Sequence, residues 1–385
     1  MRFTKSPWII ALTLILTAAL GAEVGWKMHT LIRTSCPPDI NTAADETPIE
    51  TTAKWIILNT PVSPTPADAS IVNTSTDIVA YGTQSDFRDH YKNIWKEPRN
   101  TVALSLNFSP YYLPGSDPET DSPVSEEAIR AALDAIVPFT DTIRTFGVSG
   151  EMSKFYPIAR ECGFRVYAGC WIGAGYRQED VREELTALAD IGNRGLADIL
   201  VVGSEGLLRG DYDASTLIGW INTLRGMLTR DVPIGVSDAA SALLGYPEVI
   251  AAADVAMFTF YPFFNSTPVE SAEAEFESVY RLLQKAAVSA GHTKLICSET
   301  GWKFEGKSMG RAVPSPENAT RYLEAIYEFS RKEGLEVNLF EAVEEGWKAK
   351  HGDAGWGLLD ENLEPRPAIR GMLERISEQW RDEKQ

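Results

Sequence analysis

The feature that most restricts the fold of this 385-residue chain is a repeat of short apolar segments. Eight segments rich in aliphatic and β-branched residues follow one another at an average interval of about 33 residues, the length of one strand-plus-helix unit. Strands that recur at this interval pair in parallel, because a helix makes each return. We therefore predict strands at Val102–Phe108, Thr142–Phe146, Phe164–Trp171, Asp198–Gly203, Val232–Val236, Val255–Phe260, Lys294–Ser298 and Leu335–Phe340.

Helical patterns occupy the intervals between these segments. Ser125 is followed by two glutamates, and Ser315 is followed by Pro and Glu, which is how capped helices begin. Repeated strand–helix units of this kind predict a (β/α)8 TIM barrel. An open doubly wound sheet is the main alternative, but no G-x-G-x-x-G motif follows the first strand to support it. The predicted helices are Ser125–Val137, Gln178–Ile191, Ala214–Leu228, Pro268–Ala290 and Ser315–Lys332.

Two of the predicted strands run into a glutamate. Glu205 follows the apolar run of the fourth strand, and Glu299 follows that of the seventh. A carboxylate at the tip of a buried strand is costly unless it is paired or hydrogen-bonded. Catalytic groups of a (β/α)8 barrel lie at the carboxyl ends of its strands, so both side chains should face one pocket. Paired carboxylates are what cleavage of a glycosidic bond requires. Two unrelated acids that cap strands are the alternative interpretation.

Composition limits the partners of the chain. The net charge of −18 at pH 7 disfavours nucleic acid and anionic lipid as partners. The four histidines and four cysteines show no spacing typical of a metal site, so we expect neither a metal nor another cofactor. The hydrophobic and charged fractions, 44% and 23%, are ordinary for a globular domain, and we expect a monomer.

The N-terminal segment has the pattern of an export signal. Arg2 and Lys5 precede Trp8–Ala22, an apolar run of about fifteen residues, whereas roughly twenty are needed to span a bilayer. We expect residues 1–22 to be a signal peptide, or a membrane anchor if they are not cleaved. The protein should therefore be exported: secreted, periplasmic, or anchored facing outside the cytoplasm. Residues 23–98 are predicted to be a linker and N-terminal extension, and residues 99–380 the catalytic barrel.

The four cysteines are predicted to be free thiols. Cys162 and Cys170 flank the third strand, where an extended chain separates them by roughly 26 Å, beyond the reach of a disulfide. Cys297 lies two residues before Glu299, so regular alternation along the strand should point it into the barrel as well. Cys36 lies in the predicted linker.

The residues around both glutamates resemble one known family. The segment that contains Glu205 and the S-E-T-G-W segment around Glu299 look like the acid/base and nucleophile segments of glycoside hydrolase family 17, the β-1,3-glucanases, of the bacterial type. The similarity runs in order from about residue 101 to residue 370. The matching segments are Ser109-Pro110-Tyr111, Ile143-Arg144-Thr145, Gly169-Cys170-Trp171, Gly203–Gly210, Tyr261-Pro262, Ser298–Trp302, Phe340-Glu341-Ala342, Glu345–Lys348 and Trp356-Gly357-Leu358.

The resemblance implies a retaining mechanism on β-1,3-linked glucan. Glu205 would protonate the departing glycosidic oxygen and then deprotonate the acceptor, while Glu299 would attack the anomeric carbon. Carboxyl groups with these roles stand about 5–5.5 Å apart. Tyr261 would hydrogen-bond the nucleophile. The residues implied to bind the substrate are Ser204, Tyr111, Arg144, Trp171, Tyr261, Trp302, Glu345 and Lys348.

The chain departs from the family pattern at two positions. Family members usually carry Asn directly before the acid/base glutamate, where it would hydrogen-bond the sugar 2-hydroxyl, and this chain has Ser204. Pro is common where this chain has Lys303. The sequence leaves open whether water or a second sugar accepts the glycosyl group, so a glucan-remodelling transglycosylase is one alternative. A non-catalytic glucan-binding homologue is the other, although both glutamates are retained.

Overall fold

A computed structural model of the chain describes residues 103–291 and 294–383. Within them, eight parallel strands close into a barrel in which each strand pairs with the next along the chain and the last pairs with the first. The predicted TIM barrel and its strands are confirmed, whereas the predicted leader, linker and Cys36 lie outside the described residues. The strands are β1 Leu104–Asn107, β2 Thr140–Arg144, β3 Arg165–Cys170, β4 Ile199–Ser204, β5 Ile234–Ala239, β6 Val255–Thr259, β7 Leu295–Thr300 and β8 Glu336–Leu339.

Helices surround the barrel on its outer face. All five predicted helices are present, with ends within two residues of those predicted. The Ser125 and Ser315 hydroxyls cap their helices by accepting amide hydrogen bonds. Among the described residues, no helix combines the length and apolar character that crossing a membrane needs. The helices are α1 Glu126–Ile136, α2 Phe155–Glu161, α3 Gln178–Asn193, α4 Gly206–Arg209, α5 Ala214–Met227, α6 Ala240–Gly245, α7 Pro247–Ala252, α8 Val269–Ser289, α9 Pro316–Glu333 and α10 Arg370–Glu383.

Apolar side chains pack on both faces of the barrel wall. In β4, Ile199 and Val201 point into the barrel, while Leu200 and Val202 pack against the surrounding helices. A small apolar cluster therefore fills the middle of the barrel and forms the floor on which the polar residues nearer the strands' carboxyl ends rest. Its members are Tyr167, Ile199, Val201, Val255, Met257 and Ile296.

Charged side chains close the opposite end of the barrel, where the strands begin. The carboxylate of Glu336 accepts hydrogen bonds from the Tyr167 hydroxyl and, at 3.2 Å, from Lys294. Arg165 donates to the same Tyr167 hydroxyl at 3.0 Å. These contacts join the amino ends of β3, β7 and β8, so this end of the barrel serves stability.

Strands β4 and β7 each contain one extra residue before their glutamate. Along β4, Val202 pairs with Val236 and Ser204 pairs with the next residue of β5, so Gly203 bulges out. Gly203 has a φ of 74°, a left-handed conformation that glycine adopts without strain. Along β7, consecutive residues of β6 pair with Cys297 and Glu299, so the residue between them has no partner there.

The bulge in β7 corrects the expected orientation of Cys297. This thiol does not share the interior with Glu299 but packs in the outer cluster, on the side of Tyr322 in α9. The prediction was wrong because the extra residue shifts the alternation by one position, and the sequence carries no glycine to mark that bulge. Cys162, Cys170 and Cys297 are all free thiols.

Two glycine substitutions should change the free energy of unfolding in opposite directions. A Cβ on Gly169 of β3 would lie 2.4 Å from the backbone carbonyl oxygen of Thr145, so Gly169→Ala must displace a barrel strand. We expect it to destabilise the fold by about 1–3 kcal/mol. Gly219 is exposed within α5 and has no atom within 4 Å of such a Cβ, so Gly219→Ala should stabilise by up to about 1 kcal/mol. Denaturant unfolding measures both, and shifts of the same sign would contradict this account.

Candidate active site

The two glutamates lie side by side at the carboxyl ends of the strands. Glu299 is the penultimate residue of β7, and Glu205 directly follows β4. Ser204, the neighbour of Glu205, donates a hydrogen bond from Oγ to Glu299 Oε1 at 3.4 Å. Thr259 of β6 pairs with Glu299 in register and donates its hydroxyl hydrogen bond to Glu205. These contacts from both directions bring the two carboxyl groups into one site.

Three donors converge on the carboxylate of Glu299. The guanidinium of Arg144 donates to Oε1 at 2.7 Å, and the Tyr261 hydroxyl donates to Oε2 at 3.1 Å. The third donor is Ser204. Glu299 is only 7% exposed, so these contacts take place away from bulk solvent, where a charge-assisted pair is strong. The carboxylate is thus compensated and fixed in orientation.

A polar cradle holds Arg144 beneath Glu299. Its Nη1 also donates to the Asn107 side chain at 3.0 Å, and its Nη2 donates to the Ser204 and Ser237 hydroxyls at 3.2 and 3.1 Å. The guanidinium also lies 4.5 Å from the centroid of the Phe146 ring. Arg144 is fully buried, so it supports the glutamate from below.

Sequence reasoning missed Asn107, Ser237 and Ser298, which complete this cradle. Asn107 donates to the backbone carbonyl of Ser298 at 3.0 Å, and the Ser237 and Ser298 hydroxyls are 2.8 Å apart. All three are buried polar residues inside strands that are otherwise apolar. That contrast is the signal in the sequence that could have identified them, because a buried polar side chain needs a partner.

Glu205 lies in a different electrostatic environment. Its backbone adopts the left-handed conformation, with φ 53°, and its side chain is half-buried. Burial, followed by the nearby charge of Glu299, raises the pKa of Glu205 to about 7. The Thr259 hydroxyl and the Arg209 charge act in the opposite direction by favouring the ionised form. Near neutral pH this carboxyl is therefore poised to give or take a proton.

Asp238 of β5 fixes the turn that carries Glu205. Its carboxylate accepts hydrogen bonds from the backbone amides of Leu207 and Leu208 at 2.8 and 3.1 Å. Burial raises the pKa of Asp238 to about 6, although these amide donors favour its charged form. Local sequence patterns do not predict this role, because Asp238 belongs to a different strand from the turn that it holds.

Aromatic residues form one wall beside Glu299. The ring of Tyr261 packs edge-to-face on Phe340 at 6.0 Å and on Trp356 at 5.4 Å between ring centroids. Trp302 lies behind this wall, fully buried, with its indole N–H donating to the Val313 carbonyl at 3.0 Å. Trp302 thus contributes packing beneath the site.

Two further aromatic residues predicted to bind substrate are held by charged neighbours. The guanidinium of Arg209 lies 4.4 Å from the centroid of the Trp171 ring and pairs with Asp211 at 2.6 Å. The Tyr111 hydroxyl donates to Asp121 at 3.4 Å, and burial raises the pKa of that hydroxyl. Both residues lie in loops that follow strands at the same end of the barrel as the glutamates.

Lys348 forms a buried ionic cluster with two glutamates after β8. Its ammonium pairs with Glu341 and, at 2.5 Å, with Glu345, and it lies 4.5 Å from the centroid of the Phe340 ring. Burial acts to lower the pKa of Lys348, but the two carboxylates outweigh it and raise that pKa. The structure therefore places Glu345 and Lys348 behind the aromatic wall, as partners of each other.

No group of His, Cys, Asp or Glu in residues 103–291 and 294–383 is arranged to hold a metal ion. The chemistry that these residues can support is proton transfer and attack by a carboxylate. One carboxyl is paired with an arginine and the other has its pKa near neutrality, which is how glycosidases separate their two roles.

A known family matches most of the barrel. The match covers residues 105–357 and has the description "BtgE/BtgC glycoside hydrolase domain". The chain belongs to this family. It is therefore a glycosidase by descent, and the resemblance to glycoside hydrolase family 17 is confirmed.

Individual relatives agree with the family. The chain is 29% identical over 233 residues to a glucan 1,3-beta-glucosidase of Candida albicans, covering 56% of this chain and 76% of that protein. A glucan 1,3-beta-glucosidase of Saccharomyces cerevisiae is 28% identical over 235 residues, covering 56% and 74% of the two chains.

Solved structures share the fold. A glycoside hydrolase family 17 beta-1,3-glucanosyltransferase from Rhizomucor miehei superposes with a TM-score of 0.60 at 23% identity, covering 69% of this chain and 96% of that one. An endo-laminarinase from Formosa superposes with a TM-score of 0.63 at 16% identity, covering 72% and 88%.

Removal of the Thr259 hydroxyl should shift the pH dependence of this glycosidase. The hydroxyl favours the ionised form of Glu205, so Thr259→Val should raise the pKa of Glu205 above about 7. If turnover requires protonated Glu205, activity is lost as pH rises through that pKa, and the basic limb of kcat/KM should move to higher pH. Thr145→Val is the matched control, since that buried hydroxyl pairs with Tyr156 instead. If the basic limb does not move in Thr259→Val, then ionisation of Glu205 does not determine that limb.

Proposed function

We propose that the protein is a retaining glycoside hydrolase that acts on β-1,3-linked glucan. The observation that carries this proposal is the adjacent carboxyl pair, in which Glu299 is bound by Arg144 and the pKa of Glu205 is raised to about 7. The first suits attack as an anion and the second suits proton donation. The relatives support the substrate, because their descriptions name glucan 1,3-beta-glucosidase, beta-1,3-glucanosyltransferase and endo-laminarinase.

The reaction proceeds in two displacements. A carboxylate oxygen of Glu299 bonds to the anomeric carbon while the bond from that carbon to the glycosidic oxygen breaks, and the proton of Glu205 passes to the departing oxygen. Glu205 then takes a proton from water, whose oxygen bonds to the same carbon and releases Glu299. Two inversions retain the configuration, and carboxyl groups about 5–5.5 Å apart are the geometry that this route requires.

The surrounding residues divide into holders of the nucleophile and walls of the site. Arg144, Tyr261 and Ser204 donate to Glu299 and keep the attacking oxygen in place. The other residues that we expect to act on the substrate do so mainly through the shape of the cleft, because they are buried and engaged with protein groups. These are Tyr111, Trp171, Trp302, Glu345 and Lys348.

A transglycosylase that uses the same residues is the second candidate. The specific support is the Rhizomucor beta-1,3-glucanosyltransferase, of whose chain 96% is covered by the shared fold. In that reaction a sugar hydroxyl, rather than water, gives its proton to Glu205 and bonds to the anomeric carbon. Product analysis at high laminari-oligosaccharide concentration separates the two, because transfer yields products longer than the substrate and hydrolysis yields only shorter ones.

We also propose that the barrel is an exported, monomeric catalytic unit of residues 99–380. The support is the apolar run Trp8–Ala22, with basic residues before it. Residues 1–22 would act as a signal peptide or as an anchor.

Loss of the nucleophile should be rescued chemically with a defined product. Glu299→Ala removes the group that bonds to the anomeric carbon, so turnover of laminari-oligosaccharides should fall to background. Azide or formate can occupy the vacated space and attack from the same side, and an activated β-glucoside should then give the α-glucosyl azide. NMR of the product determines its stereochemistry. Glu361→Ala, in an exposed loop, is the control and should keep the turnover of the wild type. If Glu299→Ala gives the β-glucosyl azide instead, Glu299 is the acid/base and Glu205 is the nucleophile.

The loss of rate caused by removing the acid/base carboxyl should depend on the leaving group of the substrate. In Glu205→Ala no proton reaches the departing oxygen, so formation of the glycosyl-enzyme should slow strongly for a natural glucan and least for an aryl glucoside with a good leaving group. Burst kinetics on both substrates measure this difference. Equal losses on activated and natural substrates would contradict the acid role of Glu205.

Restoring asparagine at position 204 tests how the site reads the sugar 2-hydroxyl. Ser204 is occupied with Arg144 and Glu299, and a longer amide can extend past the carboxylate towards that hydroxyl. We expect Ser204→Asn to raise kcat/KM by an amount equivalent to about 1–3 kcal/mol. A 2-deoxy substrate should lose most of that gain. An equal gain on both sugars would show that position 204 does not read the 2-hydroxyl.

A further inference from the structure

Lys303, which directly follows Trp302, is a buried cation that the mechanism does not use. Its side chain is only 6% exposed, and its ammonium donates to the Gly352 carbonyl at 3.1 Å. It also pairs with Asp353 Oδ1 at 3.0 Å. Placing an ammonium group there is costly without such partners. The ion pair therefore joins the loop after β7 to the loop after β8.

The same carboxylate oxygen anchors a tryptophan of the active-site wall. The indole N–H of Trp356 donates to Asp353 Oδ1 at 3.0 Å, and the Lys303 ammonium lies 5.1 Å from the centroid of the Trp356 ring. The two loops are also joined through the backbone, where the Phe304 amide donates to the Gly355 carbonyl at 2.7 Å. Lys303, Asp353 and Trp356 thus form one fixed unit, which we call the loop clasp.

The loop clasp reaches the nucleophile through one aromatic contact. Trp356 packs edge-to-face on Tyr261 with 5.4 Å between ring centroids, and the Tyr261 hydroxyl donates to Glu299 at 3.1 Å. The charge of Asp353 is felt at that hydroxyl, where it acts to raise the pKa of Tyr261 after burial and the charges of Glu299 and Glu205. Asp353 is therefore joined to Glu299 by a continuous series of contacts through Trp356 and Tyr261.

We propose that Lys303 is a positioning residue for the nucleophile: it neutralises Asp353, so that this carboxylate anchors the Trp356–Tyr261 wall without adding a net negative charge behind the tyrosine that donates to Glu299. The inference rests on the proposed function for its effect on turnover. Loss of the cation should leave the partly buried carboxylate of Asp353, still bound by the Trp356 indole, with an uncompensated negative charge that opposes ionisation of the nucleophile. The charged and titratable groups that face Glu299 from the packed elements are Arg144, Tyr261 and Glu205.

The decisive experiment is a double-mutant cycle on the full chain. Lys303→Met keeps the length of the side chain but removes its charge, so the nucleophile should ionise at a higher pH. The acidic limb of kcat/KM on laminari-oligosaccharides should therefore move up by about one pH unit. Asp353→Asn leaves Lys303 as an uncompensated cation, so the same limb should move down. The double variant should return the limb to its wild-type position. Lys303→Arg, which keeps the charge, should change it little.

A second readout needs no turnover. Carbon-13 NMR of the Glu299 carboxyl, assigned with Glu299→Gln, should show its titration moving in the same opposite directions in the two single variants. Lys294→Met is the control, because it breaks an ion pair at the other end of the barrel. If both single variants move the titration the same way, or neither moves it, the positioning role is wrong. If the wild type does not turn over β-1,3-glucan, the proposed function is wrong, and the carboxyl titration still decides the role of Lys303.

Discussion

The site depends on the guanidinium group of Arg144, buried inside the closed barrel. A buried cation is stable only where its hydrogens find acceptors, and here the terminal nitrogens meet Asn107, Ser204, Ser237 and Glu299. These four partners come from β1, β4, β5 and β7, while Arg144 itself belongs to β2. The carboxylate of Glu299 is therefore held only when these five strands lie in their native positions.

The carboxyl groups of Glu205 and Glu299 share a site but differ in what balances their charge. Glu299 has an arginine in direct contact, whereas Glu205 has a neutral hydroxyl from Thr259 and an arginine at longer range. Burial with weaker compensation is what raises the pKa of the second carboxyl to about 7. Asp238 keeps this group in place through backbone amides, which fixes the turn of Glu205 while leaving its side chain free to exchange a proton.

Sequence patterns predicted the elements and the two glutamates, because both follow from local order along the chain. Apolar runs at a regular interval are enough to give a barrel, and an acid at the end of a buried run stands out. The partners of these residues were not predictable in the same way. Asp238 and Asn107 act on residues about 31 and 191 positions away along the chain, and such pairings depend on which strands reach the same level of the barrel. Cys297 was misplaced for a related reason, since a register shift leaves no local mark.

The bulges in β4 and β7 matter for comparing distant members of this family. Each adds a single residue just before a glutamate, so the face that the glutamate occupies depends on one position of chain length. At identities near 25%, alignments tolerate a gap of one residue at a strand end as a trivial adjustment. Here such a gap would turn an inward residue into an outward one. Whether a relative keeps the spacing around Gly203 and Ser298 is thus a sharper criterion for shared chemistry than whether it keeps a nearby glutamate.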